Sequence, residues 1–93
     1  MKNISADELA RWQKDQFQFQ LVDVRSGEEH NSYNIGGILI PLDELLRRSH
    51  EISQEMPVVF YCRKGIRSQI AIQRLSEKFP DADFFNLQGG VGK

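Results

Sequence analysis

The sequence predicts a single α/β domain built around a parallel sheet. The chain has 93 residues, a length that supports one hydrophobic core but not two. Short apolar runs alternate with stretches of helical periodicity, which is the pattern of parallel strands joined by crossover helices. The run Val58–Cys62 carries no charge, as expected of a central strand that is covered on both faces. We therefore expect residues 1–93 to form one domain.

The N-terminal part predicts a helix followed by two strands. Ser5 and Glu8 have the spacing of a capping box, so we expect a helix from about Ala6 to Lys14. The segment Phe17–Val24 alternates and then becomes continuously apolar, which predicts a strand that enters a buried sheet. The short apolar run Ile38–Ile40 predicts another strand, which must end at the proline that follows because proline cannot donate to the ladder.

The C-terminal half predicts two more helices and a last strand. Leucines recur at helical spacing from Leu42 to about Arg48, so we expect an amphipathic helix there. A longer helix is expected after the segment Arg63–Ser68, and Pro80 should end it. Phe84–Leu87 is predicted as the last strand.

Composition and charge exclude several classes of partner. The chain has 12 Lys and Arg against 13 Asp and Glu, a formal net charge of −1, and no block of like charges. Such a chain offers no general attraction for nucleic acid or an anionic membrane. Its apolar runs are far shorter than the roughly 20 residues of a membrane span, and its N-terminus lacks the apolar stretch of a signal peptide. We expect a cytoplasmic protein.

The cysteine and histidine content excludes other chemistry. Cys62 is the single cysteine, so it cannot form an internal disulfide, and with two distant histidines it makes no recognisable zinc pattern. We predict no bound metal and no cofactor. His30 and His50 lie among polar residues, so we expect both at the surface and neither as a general base for the cysteine.

Cys62 is the candidate nucleophile. It ends an apolar strand, and ligands collect at the carboxyl ends of parallel strands. A helix N-terminus follows, and Arg63, Lys64 and Arg67 add positive charge, surroundings that lower the pKa of a thiol. Gly65 would let the loop wrap its amides round an anion. The competing interpretation is a small buried hydrophobic residue.

The cations of this loop also have plainer interpretations. Arg63 and Lys64 could be solvated surface charges that touch no substrate. Arg67 could instead pair with Asp23 or with a nearby glutamate.

The segment "CRKGIRS" after an apolar strand resembles the active-site loop of rhodanese-like sulfurtransferases. The fragments "ISADEL", "LVDVR", "IPLDEL" and "NLQGG" are similar to segments of that family in the same order. The resemblance implies a sheet of about five strands flanked by helices on both faces, and a persulfide carried on Cys62. It implies that the persulfide is cradled by Arg63, Lys64, Gly65, Ile66, Arg67 and Ser68, whose cations would favour small anionic donors such as thiosulfate.

Asp23 and Arg25 match the Asp-x-Arg signature of the same family. We assign them to orienting the surroundings of the loop rather than to chemistry, with Asp23 as a structural acceptor of loop amides. Related phosphatases and arsenate reductases share the fold but have a loop one residue longer than the six residues from Cys62 to Arg67. Phosphatase activity is therefore the minor alternative, beside a non-catalytic interaction module.

The segment "NIGG" before "LIPL" resembles rhodanese domains fused behind adenylyltransferases that activate sulfur-carrier proteins for molybdopterin or thiamine synthesis. That likeness implies three partners: a sulfur-carrier protein, a cysteine desulfurase, and an adenylyltransferase domain upstream in the same chain. The 93 residues would then be the excised C-terminal domain of a longer protein.

Overall fold

The computed structural model describes residues 1–92 and contains a five-stranded sheet. The strands are β1 (Asn3–Ile4), β2 (Gln20–Asp23), β3 (Ile38–Leu39), β4 (Val58–Tyr61) and β5 (Phe84–Leu87). Their order across the sheet is β1-β5-β4-β2-β3, and every neighbouring pair is parallel. The predicted parallel sheet of about five strands is confirmed.

Three α-helices join these strands: α1 (Ala6–Lys14), α2 (Gly27–Ser32) and α3 (Ile66–Lys78). The start of α1 is the predicted capping box, in which Ser5 accepts from the Glu8 amide and Glu8 accepts from the Ser5 amide. A second capping box starts α2. These caps satisfy backbone N–H groups that have no partner within the helix.

The predicted helix from Leu42 to about Arg48 is wrong. The structure has two 3₁₀ turns, at Leu42–Glu44 and Ser49–Glu51, connected by further turns. Of the leucines that suggested the helix, Leu45 is completely buried whereas Leu46 is 52% exposed. The segment therefore buries little more than one side chain in the core. A short segment with so little packing against the core is not stabilised as a regular α-helix.

The strand β2 also begins later than predicted, at Gln20 rather than Phe17. The amide of Phe17 donates to the carbonyl of Trp12, and the two rings lie 4.7 Å apart. Phe17 therefore lies in the segment that follows α1, where its ring packs against Trp12.

Helices cover both faces of the sheet, as predicted. On one face α3 packs Ala71 and Leu75 against β2 and β4. On the other face α1 packs Leu9 and Trp12 against β4 and β5. All four residues of β4 are completely buried, so the carboxyl end of this central strand is held rigidly at one edge of the core. Within residues 1–92, no helix has the length and apolarity to cross a bilayer.

Candidate active site

Cys62 lies directly after β4 with its side chain only 1% exposed. Its sulfur accepts a hydrogen bond from the Gly65 amide at 3.0 Å and one from the Ser68 amide at 3.4 Å. The Ser68 hydroxyl also lies 3.4 Å from the sulfur. The loop from Cys62 to α3 thus closes around one sulfur atom with several hydrogen-bonding groups directed at it.

The backbone of Gly65 makes this arrangement possible. Gly65 has φ +94° and is the residue before the first turn of α3. A side chain there would be strained, because L-residues rarely adopt this conformation. The left-handed residue turns the chain so that its own amide and that of Ser68 converge on the sulfur.

The hydrogen bonds favour the thiolate form of Cys62. Burial raises the pKa of the Cys62 thiol, but the Ser68 hydroxyl and the amides of Ser68, Gly65 and Lys64 lower it further than burial raises it. The net direction is downwards from the ordinary value. The sequence predicted that converging amides, the helix N-terminus and the basic residues would together lower this pKa; in the structure the contributions that lower it are hydrogen bonds.

The turn at residues 90–92 is hydrogen-bonded to the start of the loop. The Val91 amide donates to the Cys62 carbonyl at 3.0 Å, and the Gly92 amide donates to the Arg63 carbonyl at 2.8 Å. Gly90 has φ +64°, and a Cβ on it would come within 2.5 Å of the Cys62 and Arg63 backbone. In the sequence, Gly89 and Gly90 were identified only as part of the family-like segment "NLQGG", and the contact of Gly90 with the loop was missed.

An open pocket of about 270 Å³ lies at the loop and is lined by Cys62, Arg63, Lys64, Ile66 and Arg67. Arg63 and Lys64 are exposed at its rim. Ile66 is 65% exposed, so the rim combines positive charge with an apolar side chain. A small anion that enters the pocket approaches the sulfur past these residues.

Arg67 is held by a glutamate of α2. Its guanidinium donates to the two carboxylate oxygens of Glu29 at 2.7 and 2.9 Å. These hydrogen bonds lower the pKa of Glu29 to about 2, so the pair is charged throughout the neutral range. Of the interpretations left open by the sequence, pairing with a nearby glutamate is the one that the structure shows, and the charge of Arg67 is already partly compensated.

Asp23 and Arg25 form a buried ion pair beside the loop. Asp23 accepts from the Arg25 amide at 3.0 Å and from the Arg25 guanidinium at 2.9 and 2.8 Å. Arg25 also donates to the Tyr33 carbonyl at 2.6 Å, which ties the end of α2 to β2. Asp23 is thus a structural acceptor, but the amide that donates to it is that of Arg25, and within residues 1–92 no amide of the Cys62 loop donates to it.

The expectation that His30 lies at the surface is wrong. Its side chain is 21% exposed and its Nδ1 lies 2.9 Å from Asp23 Oδ2. The turn at the start of α2 brings this ring back over the end of β2. His50, by contrast, is 77% exposed, as expected.

Comparisons with known proteins agree on one family. The family model of the rhodanese-like domain matches residues 5–93. The uncharacterised protein YqhL of Bacillus subtilis is 40% identical over 75 residues, which are 80% of this chain and 59% of that protein. The adenylyltransferase and sulfurtransferase MOCS3 of Drosophila willistoni is 35% identical over 80 residues, 76% of this chain but only 18% of that protein.

A solved structure supports the same relationship. The crystal structure of a rhodanese-like domain protein from Staphylococcus aureus superposes with a TM-score of 0.88 at 29% identity, covering 98% of this chain and 88% of that one. The chain therefore accounts for most of one solved rhodanese-like protein, whereas it spans less than two thirds of the two curated relatives.

Proposed function

The chain belongs to the rhodanese-like domain family, and on that premise we propose that it is a sulfurtransferase that carries sulfur as a persulfide on Cys62. The observation that carries the proposal is the pair of hydrogen bonds that the amides of Gly65 and Ser68 donate to the Cys62 sulfur. They stabilise a thiolate, which is the nucleophilic form of cysteine.

The reaction has two displacements. The Cys62 thiolate attacks the outer sulfur of a donor such as thiosulfate; a bond forms between the two sulfurs, the sulfur–sulfur bond of thiosulfate breaks, and sulfite leaves with its electron pair. A thiophilic acceptor, cyanide or a thiolate, then attacks the outer sulfur of the persulfide. The bond to Cys62 breaks, its electron pair returns to the Cys62 sulfur, and the thiolate is restored.

The residues of the pocket have distinct parts in this scheme. The amides of the loop would cradle the outer sulfur of the persulfide, and the rim cations Arg63 and Lys64 would attract an anionic donor. Arg67 is bound to Glu29, so we assign it mainly to shaping the pocket. The six-residue loop supports sulfur transfer rather than phosphate transfer, because it is one residue shorter than the loops of the related phosphatases.

The relatives suggest a setting for the reaction. The name of MOCS3 joins an adenylyltransferase to a sulfurtransferase. We propose that this chain acts in a similar setting, taking sulfur from a small anion or from a protein persulfide such as that of a cysteine desulfurase. The acceptor would be a sulfur-carrier protein of the kind used in molybdopterin synthesis.

The test is sulfur loading of the single cysteine. Incubation with thiosulfate should add about one sulfur mass to the protein, removable by cyanide or dithiothreitol, and Cys62→Ser should abolish the gain because a neutral hydroxyl cannot replace a thiolate. Mass spectrometry measures it, and circular dichroism of the variant confirms folding. An unchanged mass with thiosulfate and with a persulfidated desulfurase, or turnover of aryl phosphates that depends on Cys62, would overturn the proposal.

A further inference from the structure

A line of hydrogen bonds leads from the sulfur of Cys62 away from the pocket. The Ser68 hydroxyl lies 3.4 Å from the sulfur and donates to Asn86 Oδ1. Asn86 Nδ2 in turn donates to Asn3 Oδ1 at 3.1 Å. Ser68 is completely buried and Asn86 is 2% exposed. The sulfur-transfer scheme uses Ser68 but gives no part to the buried amide of Asn86.

The number of hydrogens on Ser68 limits what this line can do. A serine hydroxyl has one hydrogen to donate. While that hydrogen is directed to Asn86 Oδ1, Ser68 can only accept from the S–H group of Cys62, an arrangement that suits the thiol. The hydroxyl lowers the pKa of Cys62 only when it donates to the sulfur instead. A thiolate has no hydrogen and requires the Ser68 hydrogen for itself. If only Ser68 turned, its oxygen and Asn86 Oδ1 would face each other as two buried acceptors, which is unfavourable.

The amide of Asn86 can remove this conflict by turning over. Its oxygen and its NH₂ group have nearly the same shape, and they exchange positions when the amide rotates by half a turn. The turned amide donates to the Ser68 oxygen and accepts from the Asn3 amide once that has turned as well. Every group then has a partner again, with the direction of each hydrogen bond reversed.

We propose that Asn86 is a positioning residue for Cys62. The orientation of the Asn86 amide decides whether Ser68 accepts a hydrogen bond from the thiol or donates one to the thiolate. Asn86 acts through Ser68 and touches neither donor nor persulfide. The proposal rests on the proposed function only in taking Cys62 as the reacting group.

Other charged groups also act on the sulfur and stay unchanged in the test. Arg63 and Lys64 are on its own loop and Arg67 is on α3. The Asp23–Arg25 pair lies at the end of β2, where Asp23 is opposite Tyr61 in the sheet register. Only variants that alter the line from Asn3 to Ser68 should therefore prevent the reversal of its hydrogen bonds.

The experiment measures the rate of alkylation by iodoacetamide as a function of pH. Cys62 is the single cysteine, so the midpoint of the profile reports on it alone and requires no sulfur donor. In Asn86→Asp the carboxylate can only accept, which keeps Ser68 in the orientation for the thiol. We expect the midpoint to rise by about one pH unit or more. When Asn86→Asp is combined with Ser68→Ala, the new charge can act on the sulfur only through space. The rise in the midpoint, measured against Ser68→Ala alone, should then be less than half of the rise that Asn86→Asp causes when Ser68 is present.

A second variant covers the case in which Asn86→Asp does not fold, which thermal unfolding would reveal. Asn3 is exposed, and Asn3→Asp can only accept from Asn86, so it also keeps the Asn86 oxygen towards Ser68. We expect Asn3→Asp to raise the midpoint by less than Asn86→Asp does, and not to raise it when Ser68 is replaced by alanine. Equal rises with Ser68 and with Ala at position 68, or no rise in a folded variant, would overturn the proposal whether or not the chain transfers sulfur.

Discussion

The strands β2 and β4 end side by side, with Asp23 opposite Tyr61, yet their carboxyl ends are built differently. At the end of β2, the charge of Asp23 is neutralised by Arg25, both side chains being at most 1% exposed. At the end of β4, the Cys62 sulfur is surrounded by neutral donors and lies beside a pocket whose rim cations Arg63 and Lys64 are exposed.

The difference separates a strand end that stabilises the fold from one that we propose to be reactive. A buried charge that already has its partner gains nothing from an incoming anion, and it is costly to leave unpaired. A sulfur that accepts weak hydrogen bonds from amides beside an open pocket can change its protonation and its bonding partners. Substitutions at the end of β2 should therefore affect stability most, whereas substitutions at the end of β4 should affect activity most.

The largest effect is expected from Asp23→Asn. Burial raises the pKa of Asp23, but the hydrogen bonds from Arg25 and His30 outweigh burial and the net direction is downwards. Asp23 is therefore a carboxylate at neutral pH, and its loss leaves the Arg25 guanidinium buried without its charge partner. We expect the free energy of unfolding, measured with urea at pH 7, to fall by about 3–5 kcal/mol.

An exposed pair supplies the matched control for that substitution. Arg47 is 72% exposed and lies 3.3 Å from Glu44, so Arg47→Gln should leave the free energy of unfolding almost unchanged. A loss of stability of equal size in both variants would contradict the contrast between the two strand ends.

At the other strand end, Lys64→Gln should reduce activity without reducing stability. Lys64 is exposed at the pocket, and a hydrogen bond to a charged group is worth enough to change kcat/KM for thiosulfate about tenfold. The exposed cation Lys14, on α1, gives the control, since Lys14→Gln should leave kcat/KM unchanged. If Lys64→Gln instead lowers the free energy of unfolding as much as Asp23→Asn does, the distinction between a stabilising end of β2 and a reactive end of β4 is contradicted.

Features encoded by neighbouring residues could be predicted from the sequence. The capping box of Ser5 and Glu8 starts α1 where expected, and the charge-free run at β4 is the buried central strand. Periodicity predicted a helix at 42–48 where there are 3₁₀ turns, because spacing alone does not show that Leu45 is the one leucine of 42, 45 and 46 that is completely buried.

In the candidate site, too, contacts between residues close in the sequence could be predicted, whereas contacts between distant residues could not. The loop from Cys62 to Ser68 is contiguous, so its composition was enough to predict that its amides converge on the sulfur. Its remote partners could not be read from the sequence: Glu29 lies 38 residues from Arg67, and Asn86 lies 18 residues from Ser68. Such pairs depend on the sheet order, in which β5 and β2 flank β4.

The smallest effect concerns Glu29, which connects the two strand ends. Glu29→Gln keeps a side chain that can cap α2 but removes the charge that holds Arg67. The freed guanidinium should strengthen attraction for an anionic donor, so KM for thiosulfate is expected to fall a few-fold, while the free energy of unfolding falls by less than about 1 kcal/mol. The neighbouring acid Glu28 is the control, because Glu28→Gln leaves the Arg67 pair intact.

The pH dependence of that stability difference follows from the pKa of Glu29. Folding depresses this pKa from an ordinary value of 4.5 to about 2, so the ionised carboxylate stabilises the fold fully above the ordinary value. The contribution is lost as pH falls towards about 2, because the carboxyl group then takes up a proton in the folded state as well. The difference between wild type and Glu29→Gln, measured by urea unfolding, should therefore shrink from pH 5 to pH 3. A difference that is constant over this range would show that the ion pair with Arg67 contributes nothing to stability.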